Sequence, residues 1–307
     1  MIQDRDMKGY GATSIDPKWP NKAKLAVQFV INYEEGGENC ILNGDKASEA
    51  FLSEIVNAQP IIGMRNMNME SLYEYGSRAG FWRLLRIFTQ HQLPATVFAV
   101  TTALQKNHDV IEAMQKANWE IACHGLKWVD YQFMDKATER EHITQALNGH
   151  RKLTGVFPQG WYTGRISPNT RSLVLEQTDL AYDSDSYADD LPYWCYDYDK
   201  PHLIIPYTLD TNDMRFCTSQ GFNCGDQFFF YLKDAFDQLY SEALANPKAA
   251  KLLNIGLHCR ITGRPARTAS LARFINYINQ YQDIWVTRRI DIAEHWKKHH
   301  PPMLLKA

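Results

Sequence analysis

Residues 24–38 read KLAVQFVINYEEGGE, an apolar stretch that ends in acidic residues and glycines. Lys24 to Tyr33 is rich in β-branched and aromatic residues, which favours a buried β-strand. Glu34 and Glu35 follow this strand directly, and the glycines after them begin a turn. An acidic pair at the carboxyl end of a buried strand is the first indication of where a functional site would lie.

Similar apolar stretches recur along the chain and alternate with stretches of helical periodicity about seven times. Further strands are predicted near residues 95–100, 119–123, 160–163, 180–183, 203–206, 252–258 and 284–287. This alternation predicts an α/β fold built from parallel βαβ units. Because polar residues come just after several of these strands, a barrel with its site at their carboxyl ends is favoured.

The chain contains no linker, internal repeat or low-complexity tract, so residues 1–307 are predicted to form a single catalytic domain. Residues 36–69 lack clear periodicity and carry Gly and Asn. We predict that this segment is an irregular excursion with one short helix near residues 48–56.

The composition excludes several classes of function. With a net charge of -2, the chain lacks the basic excess typical of nucleic-acid binding. No apolar stretch is long enough to span a bilayer, and residues 1–6 lack the hydrophobic core of a signal peptide, so a cytoplasmic location is expected. The six cysteines form no CxxC pair, which argues against a structural zinc site.

Three groups of residues could carry chemistry. Neighbouring strand residues point to opposite faces, so at most one of Glu34 and Glu35 should face the barrel axis and serve as a general base. His124 and His258 each stand at the end of a predicted strand, where an imidazole can transfer protons. Arg165 lies in a strand-to-helix loop and is suited to fork-like binding of carboxylate or ureide oxygens, although a surface ion pair would explain it equally well.

Several segments resemble the polysaccharide deacetylase family, also called the NodB homology family. They are NYEEG at 32–36, LPATVF at 93–98, WEIACH at 119–124 and IGLH at 255–258, and the resemblance extends over roughly residues 24–290. The segments NYEEGGEN, MESLYEYGSRAG, GWYTGR, YDSDSYADDLPYW, PYTLDTNDMRF and GLHCR resemble one branch of this family more closely, the metal-independent allantoinases. The resemblance implies the family's deformed (β/α)7-type barrel as a single domain.

The resemblance also implies roles for individual residues. In metal-dependent deacetylases, the positions of Glu34 and Glu35 hold a catalytic base and a metal ligand, and His124 matches the first histidine of a metal-binding HxxxH pair. Trp128 stands where the second histidine would be, and an indole cannot replace an imidazole ligand. We therefore expect no metal and no other cofactor. His258 matches the family's general acid.

The predicted function is cofactor-free hydrolysis of the cyclic amide bond of (S)-allantoin to allantoate, in purine degradation. The predicted catalytic residues are Glu34, Glu35, His124 and His258, and the predicted substrate-binding residues are Trp128, Tyr162, Arg165, Asp185 and Asn212. The sequence leaves open which glutamate is the base and which histidine is the acid. The expected partner is a small cyclic ureide, and relatives on this scaffold imply a homotetramer.

Two other functions compete with this one. A metal-dependent N-deacetylase of chitooligosaccharide or peptidoglycan would need a bound metal, and the missing HxxxH pair counts against it. A catalytically inactive binding module would bind sugar or ureide without turnover, and the two strand-end histidines and the glutamate pair weigh against it.

Overall fold

The computed structural model describes residues 5–303. Residues 1–4 and 304–307, the two ends of the predicted domain, lie outside the described residues. Strand β1 (Leu25–Tyr33) is buried along its whole length and pairs with three other strands of the sheet. One edge of β1 pairs with β8 (Lys251–His258). Its other edge pairs with β9 (Ile284–Thr287) in the first half and with β2 (Thr96–Ala99) in the second half.

Five further strands continue the sheet beyond β2. In spatial order they are β3 (Glu120–Cys123), β4 (Gly160–Trp161), β5 (Tyr182–Asp183), β7 (His202–Ile204) and β6 (Tyr193–Cys195). The paired strands are parallel except for β6 and β7, which are antiparallel. The carboxyl ends of the parallel strands therefore meet at one rim of the sheet, as the predicted barrel requires.

The two ends of the sheet, β8 and β6, do not pair with each other. Loop carbonyls bond the free edge of β8 instead: Leu252 N–H donates to the carbonyl of Asp190 at 3.1 Å, and Gly256 N–H donates to that of Thr211 at 3.0 Å. The fold is thus a single-domain α/β half-barrel with a curled parallel sheet. The predicted deformed barrel is confirmed in this open form.

Helices connect the strands and cover the outer face of the sheet. They are α1 (Met67–Tyr75), α2 (Phe81–Gln90), α3 (Thr101–Lys106), α4 (His108–Lys116), α5 (Lys136–Thr154), α6 (Thr170–Gln177), α7 (Gly225–Ala245), α8 (Pro265–Ile278) and α9 (Arg289–His299). A π-helical turn, Gly76–Gly80, joins α1 to α2. No helix within residues 5–303 is long and apolar enough to cross a membrane.

Strand β1 presents its odd and even positions to different surroundings. On the odd side, the Phe29 ring lies 5.2 Å from Phe88 of α2 and 6.5 Å from Phe274 of α8. On the even side, Gln28 and Asn32 are buried inside the half-barrel. Because side chains alternate along a strand, this pattern fixes which residue after β1 can face the interior.

A buried arginine fills the interior below the site. Arg289 donates from Nη1 to Gln28 Oε1 at 2.9 Å and to Asn254 Oδ1 at 2.6 Å, and from Nε to Ser184 Oγ at 3.0 Å. Its Nη2 donates to the carbonyls of Ile205 and Pro206. All five N–H groups are therefore satisfied by neutral acceptors, as a buried guanidinium requires.

The predicted short helix near residues 48–56 is wrong: the structure has bends and turns there. The N–H groups of Ala50 and Phe51 both donate to Glu49 Oε1 at 2.9 Å, so a side chain takes the donors that helical turns would use. Phe51 stacks on Trp128 with 5.8 Å between ring centroids, which ties this segment to the rim of the half-barrel.

Candidate active site

A cavity of about 120 Å³ lies at the rim where the strands end. Its lining residues are Asn32, Glu34, Phe51, Leu52, His124, Trp128, Tyr162, Gly164, Arg165, Tyr187, Tyr207, Leu209, Asn212, Met214 and His258. Seven of the nine predicted site residues are among them. The two that the structure places elsewhere are Glu35 and Asp185.

Glu34 lies at the centre of this site and is only 1% exposed. Its Oε2 accepts a hydrogen bond from Arg260 Nη1 at 2.6 Å. Its Oε1 lies 3.4 Å from Nε2 of both His124 and His258. Burial alone would raise the pKa of Glu34, but Arg260 and the two imidazoles outweigh it and hold the pKa well below its usual range. Glu34 is therefore a carboxylate at any ordinary pH.

Glu35 continues the odd side of β1 and points away from the cavity. Its Oε2 accepts the Glu34 N–H at 3.0 Å, and its Oε1 accepts the Arg260 N–H at 3.1 Å. The side chain lies against Gly76, where any added Cβ would collide with Oε1. Burial raises the pKa of Glu35 to about 7. Of the two adjacent glutamates, only Glu34 faces the interior, as strand alternation requires.

His258 is held by a second carboxylate that the sequence prediction missed. Its Nδ1 lies 2.6 Å from Asp213 Oδ1, while Asp213 Oδ2 accepts the N–H groups of His258 and Thr262 at 2.7 and 3.1 Å. This arrangement keeps the proton on Nδ1 and turns Nε2 toward Glu34. Burial alone would lower the pKa of His258, but the carboxylates of Glu34 and Asp213 outweigh it and raise the pKa to about 9.

His124 has the same orientation but a different partner. Its Nδ1 lies 2.8 Å from the Tyr162 carbonyl oxygen. Because a carbonyl can only accept, Nδ1 carries a proton and Nε2 faces Glu34 and the cavity. Unlike His258, His124 has a neutral partner behind it, so the two imidazoles are not equivalent.

Part of the cavity wall is aromatic and cationic. The Arg165 guanidinium lies 4.2 Å above the Trp128 ring and 5.4 Å from the Phe51 ring, and its Nη2 donates to the Trp128 carbonyl. Arg165 Nε is buried without a hydrogen-bond partner. Tyr162 stacks on Phe98 with 4.7 Å between centroids. A small polar molecule with a planar face would find both stacking surfaces and a free donor here.

Two predicted substrate contacts, Asp185 and Asn212, already hydrogen-bond to other groups of the protein. Asp185 is outside the cavity lining, and its carboxylate accepts the N–H groups of Thr163 and Gly164 at 2.8–2.9 Å. It therefore shapes the loop that carries Arg165. Asn212 lines the cavity, but its Nδ2 already donates to Tyr207 Oη at 3.2 Å.

The metal site implied for metal-dependent relatives can be tested against the donors present. Within residues 5–303, no group of three or more His, Cys, Asp or Glu residues is arranged to hold a metal ion. Glu34 Oε2 is bound to a guanidinium, and Trp128 supplies no ligand atom. These residues do not fit a metal ion.

The Asp213–His258 contact gives a prediction that does not depend on any substrate. Asp213→Asn should lower the pKa of His258, about 9 in the unmodified protein, by about one unit or more because one carboxylate is lost. An NMR titration of the imidazole resonances measures this. Asp210→Asn is the matched control, since Asp210 lies on the same loop and pairs with Arg215 at 3.4 Å. An unchanged His258 pKa in Asp213→Asn would contradict the assignment.

Comparisons with known proteins agree with this architecture. A family model described as polysaccharide deacetylase matches residues 68–183. A Schizosaccharomyces pombe protein assigned as a polysaccharide deacetylase is 42% identical over 319 residues, covering 98% of this chain and 99% of that protein.

Two crystal structures are similar over nearly the whole chain. PuuE allantoinase has a TM-score of 0.96 and 58% identity, covering 99% of this chain and 100% of its own. A probable polysaccharide deacetylase from Pseudomonas aeruginosa PAO1 has a TM-score of 0.95 and 58% identity, covering 98% and 100%. These likenesses support a hydrolase that acts on C–N bonds. The chain belongs to the polysaccharide deacetylase family, as its motifs predicted.

Proposed function

We propose that this protein hydrolyses the cyclic amide bond of (S)-allantoin to give allantoate. The observation that carries the proposal is the size and lining of the cavity. At about 120 Å³ it is far below the roughly 300–1,000 Å³ of pockets that accept drug-sized ligands. It suits a small ring rather than a sugar within a polymer, and it contains a carboxylate and two imidazoles.

The side chains that form one wall of the cavity also favour a small substrate. Phe51, from the irregular segment, stacks on Trp128 and lies under Arg165. Glu49 of the same segment lies 3.7 Å from Arg165. A polymer chain would need an open groove where these side chains stand. The 58% identity to PuuE allantoinase supports the same substrate class.

The geometry supports a mechanism in which the protein's own side chains move every proton. A water at Glu34 Oε1 gives one proton to Glu34 while its oxygen attacks the ring carbonyl carbon, and the carbonyl electron pair moves onto the oxygen. Arg165 stabilises that oxyanion. When the carbonyl re-forms, the C–N bond breaks, and His258 Nε2–H protonates the departing nitrogen.

The resting state is then regained without outside help. Glu34 holds the proton taken from water, and His258 has lost one. The 3.4 Å between Glu34 Oε1 and His258 Nε2 lets that proton return directly or through one water. His124 Nε2, on the other side of Oε1, orients the attacking water. In this mechanism Glu34 is the base and His258 the acid.

The substrate assignment is tested with purified protein on allantoin and, in parallel, on an N-acetylglucosamine oligomer. We expect allantoate to form from allantoin and no acetate to be released from the oligomer, because only the small ring fits the cavity. Release of acetate without allantoate would make the protein an N-deacetylase. Binding of either compound without turnover would make it an inactive binding module.

The roles of the two glutamates are tested by paired substitutions. Glu34→Gln should lower kcat for allantoin about 10²–10⁴-fold, the usual contribution of a general base. Glu35→Gln should lower kcat far less, since its carboxyl accepts only backbone N–H groups. Circular dichroism checks that both variants fold. An equal loss in both variants, or a larger loss in Glu35→Gln, would contradict the assignment of Glu34 as the base.

We also propose that the protein works in cytoplasmic purine degradation as a homotetramer. The irregular segment and the start of α1 expose several large apolar side chains, which favours an interface between copies. They are Leu42, Val56, Ile62, Met64 and Met67, each at least 60% exposed. Sedimentation equilibrium should give the tetramer mass, and Ile62→Glu should shift it toward smaller species. A monomeric unmodified protein would exclude this proposal.

A further inference from the structure

Arg260 is a buried cation to which the mechanism above gives no role. It follows His258 by two residues, just after β8 ends, and is only 3% exposed. Its Nη1 donates to Glu34 Oε2 at 2.6 Å, while its Nε and Nη2 are buried without hydrogen-bond partners. A guanidinium accepts such a position only when its charge is compensated nearby.

The surroundings of Arg260 compensate its charge in two ways. Its guanidinium is in contact with the Glu34 carboxylate, and its backbone N–H binds Glu35. The guanidinium carbon also lies 4.4 Å from the Tyr73 ring centroid and 5.1 Å from that of Trp128. Aromatic faces attract cations. The Trp128 ring thus lies within cation–π distance of two guanidinium groups, those of Arg165 and Arg260.

We propose that Arg260 is the positioning residue of this site, a cation built into the chain that holds Glu34 in place and closes its carboxylate to metal ions. By binding Oε2, the guanidinium leaves Oε1 as the oxygen that faces the two imidazoles. It cannot lose its proton at any pH the protein meets, so its charge is permanent.

The same contact explains why the donors of this site do not fit a metal ion. A divalent cation at Glu34 would meet a fixed positive charge on the other oxygen of the same carboxylate. Two positive charges at such a short distance repel each other strongly when both are buried. Arg260 therefore disfavours metal binding at this site through its charge, and Trp128 does so because it supplies no ligand atom.

The first test follows the pH dependence of kcat/KM and rests on the proposed allantoin hydrolysis. In Arg260→Gln the acidic limb should move to higher pH by about one unit or more, because Glu34 loses its cation. Loss of the fixed geometry should also lower kcat about 10²-fold. Arg260→Lys keeps the charge and should keep the acidic limb. Arg267→Gln is the control, since Arg267 pairs with Glu54, outside the cavity, at 2.6 Å.

A lower kcat with an unmoved acidic limb in Arg260→Gln would reduce Arg260 to a structural residue and overturn the proposal. If Arg260→Gln does not fold, the Arg260→Lys variant still tests the role of the charge. If Arg260→Lys folds and its acidic limb of kcat/KM stays in place, the positive charge has the proposed role. If that limb moves to higher pH by about one unit or more, as expected for a neutral side chain, the proposed role of the charge is contradicted.

The second test does not need turnover. In a calorimetric zinc titration, Arg260→Ala should bind Zn²⁺ about tenfold more tightly than the unmodified protein, and the gain should vanish in the Arg260→Ala/Glu34→Gln double variant. Equal zinc affinity in the unmodified protein and Arg260→Ala would overturn the metal-closing role. If the unmodified protein does not hydrolyse allantoin, the proposed function is wrong, but this titration still tests whether Arg260 disfavours metal binding.

Discussion

The buried Glu34 carboxylate is the group around which the rest of the site is arranged. Burying a carboxylate in a half-barrel of apolar and aromatic side chains is costly unless partners compensate its charge. Arg260 binds one oxygen at 2.6 Å, and the other lies 3.4 Å from each of two imidazoles. Asp213 in turn keeps His258 protonated. Arg260, Glu34, His258 and Asp213 thus form a row of groups in which cations alternate with carboxylates and each charge is compensated by its neighbour.

The fold brings these side chains together because strands far apart in sequence end at one rim. Glu34 follows β1, His124 follows β3 and His258 ends β8, and β1 lies between β2 and β8 in the sheet. The irregular segment after β1 then returns across this rim, where Phe51 stacks on Trp128. The segment that follows the first strand therefore supplies both the central carboxylate, Glu34, and part of the cavity wall, Phe51.

Much of this could be predicted from the sequence, because alternating strands and helices indicate an α/β barrel and polar strand ends indicate its site. Strand alternation also predicted that only one of Glu34 and Glu35 would face inward. Arg260 and Asp213 could not be found this way, since their partners lie 226 and 45 residues away and neither residue belongs to a local pattern. Asp185 was predicted to bind the substrate, yet backbone N–H groups far from it in sequence occupy its carboxylate, and no local pattern indicates this.

The central claim is that side chains alone, with Arg260 as the fixed cation, hydrolyse a small cyclic amide at this site. Its most direct test measures allantoin turnover and bound metal on the same samples, before and after exhaustive dialysis against a chelator and after zinc is added back. We expect turnover per chain to stay constant while metal content falls far below stoichiometric. Turnover that disappears with the metal and returns in proportion to added zinc would contradict the claim.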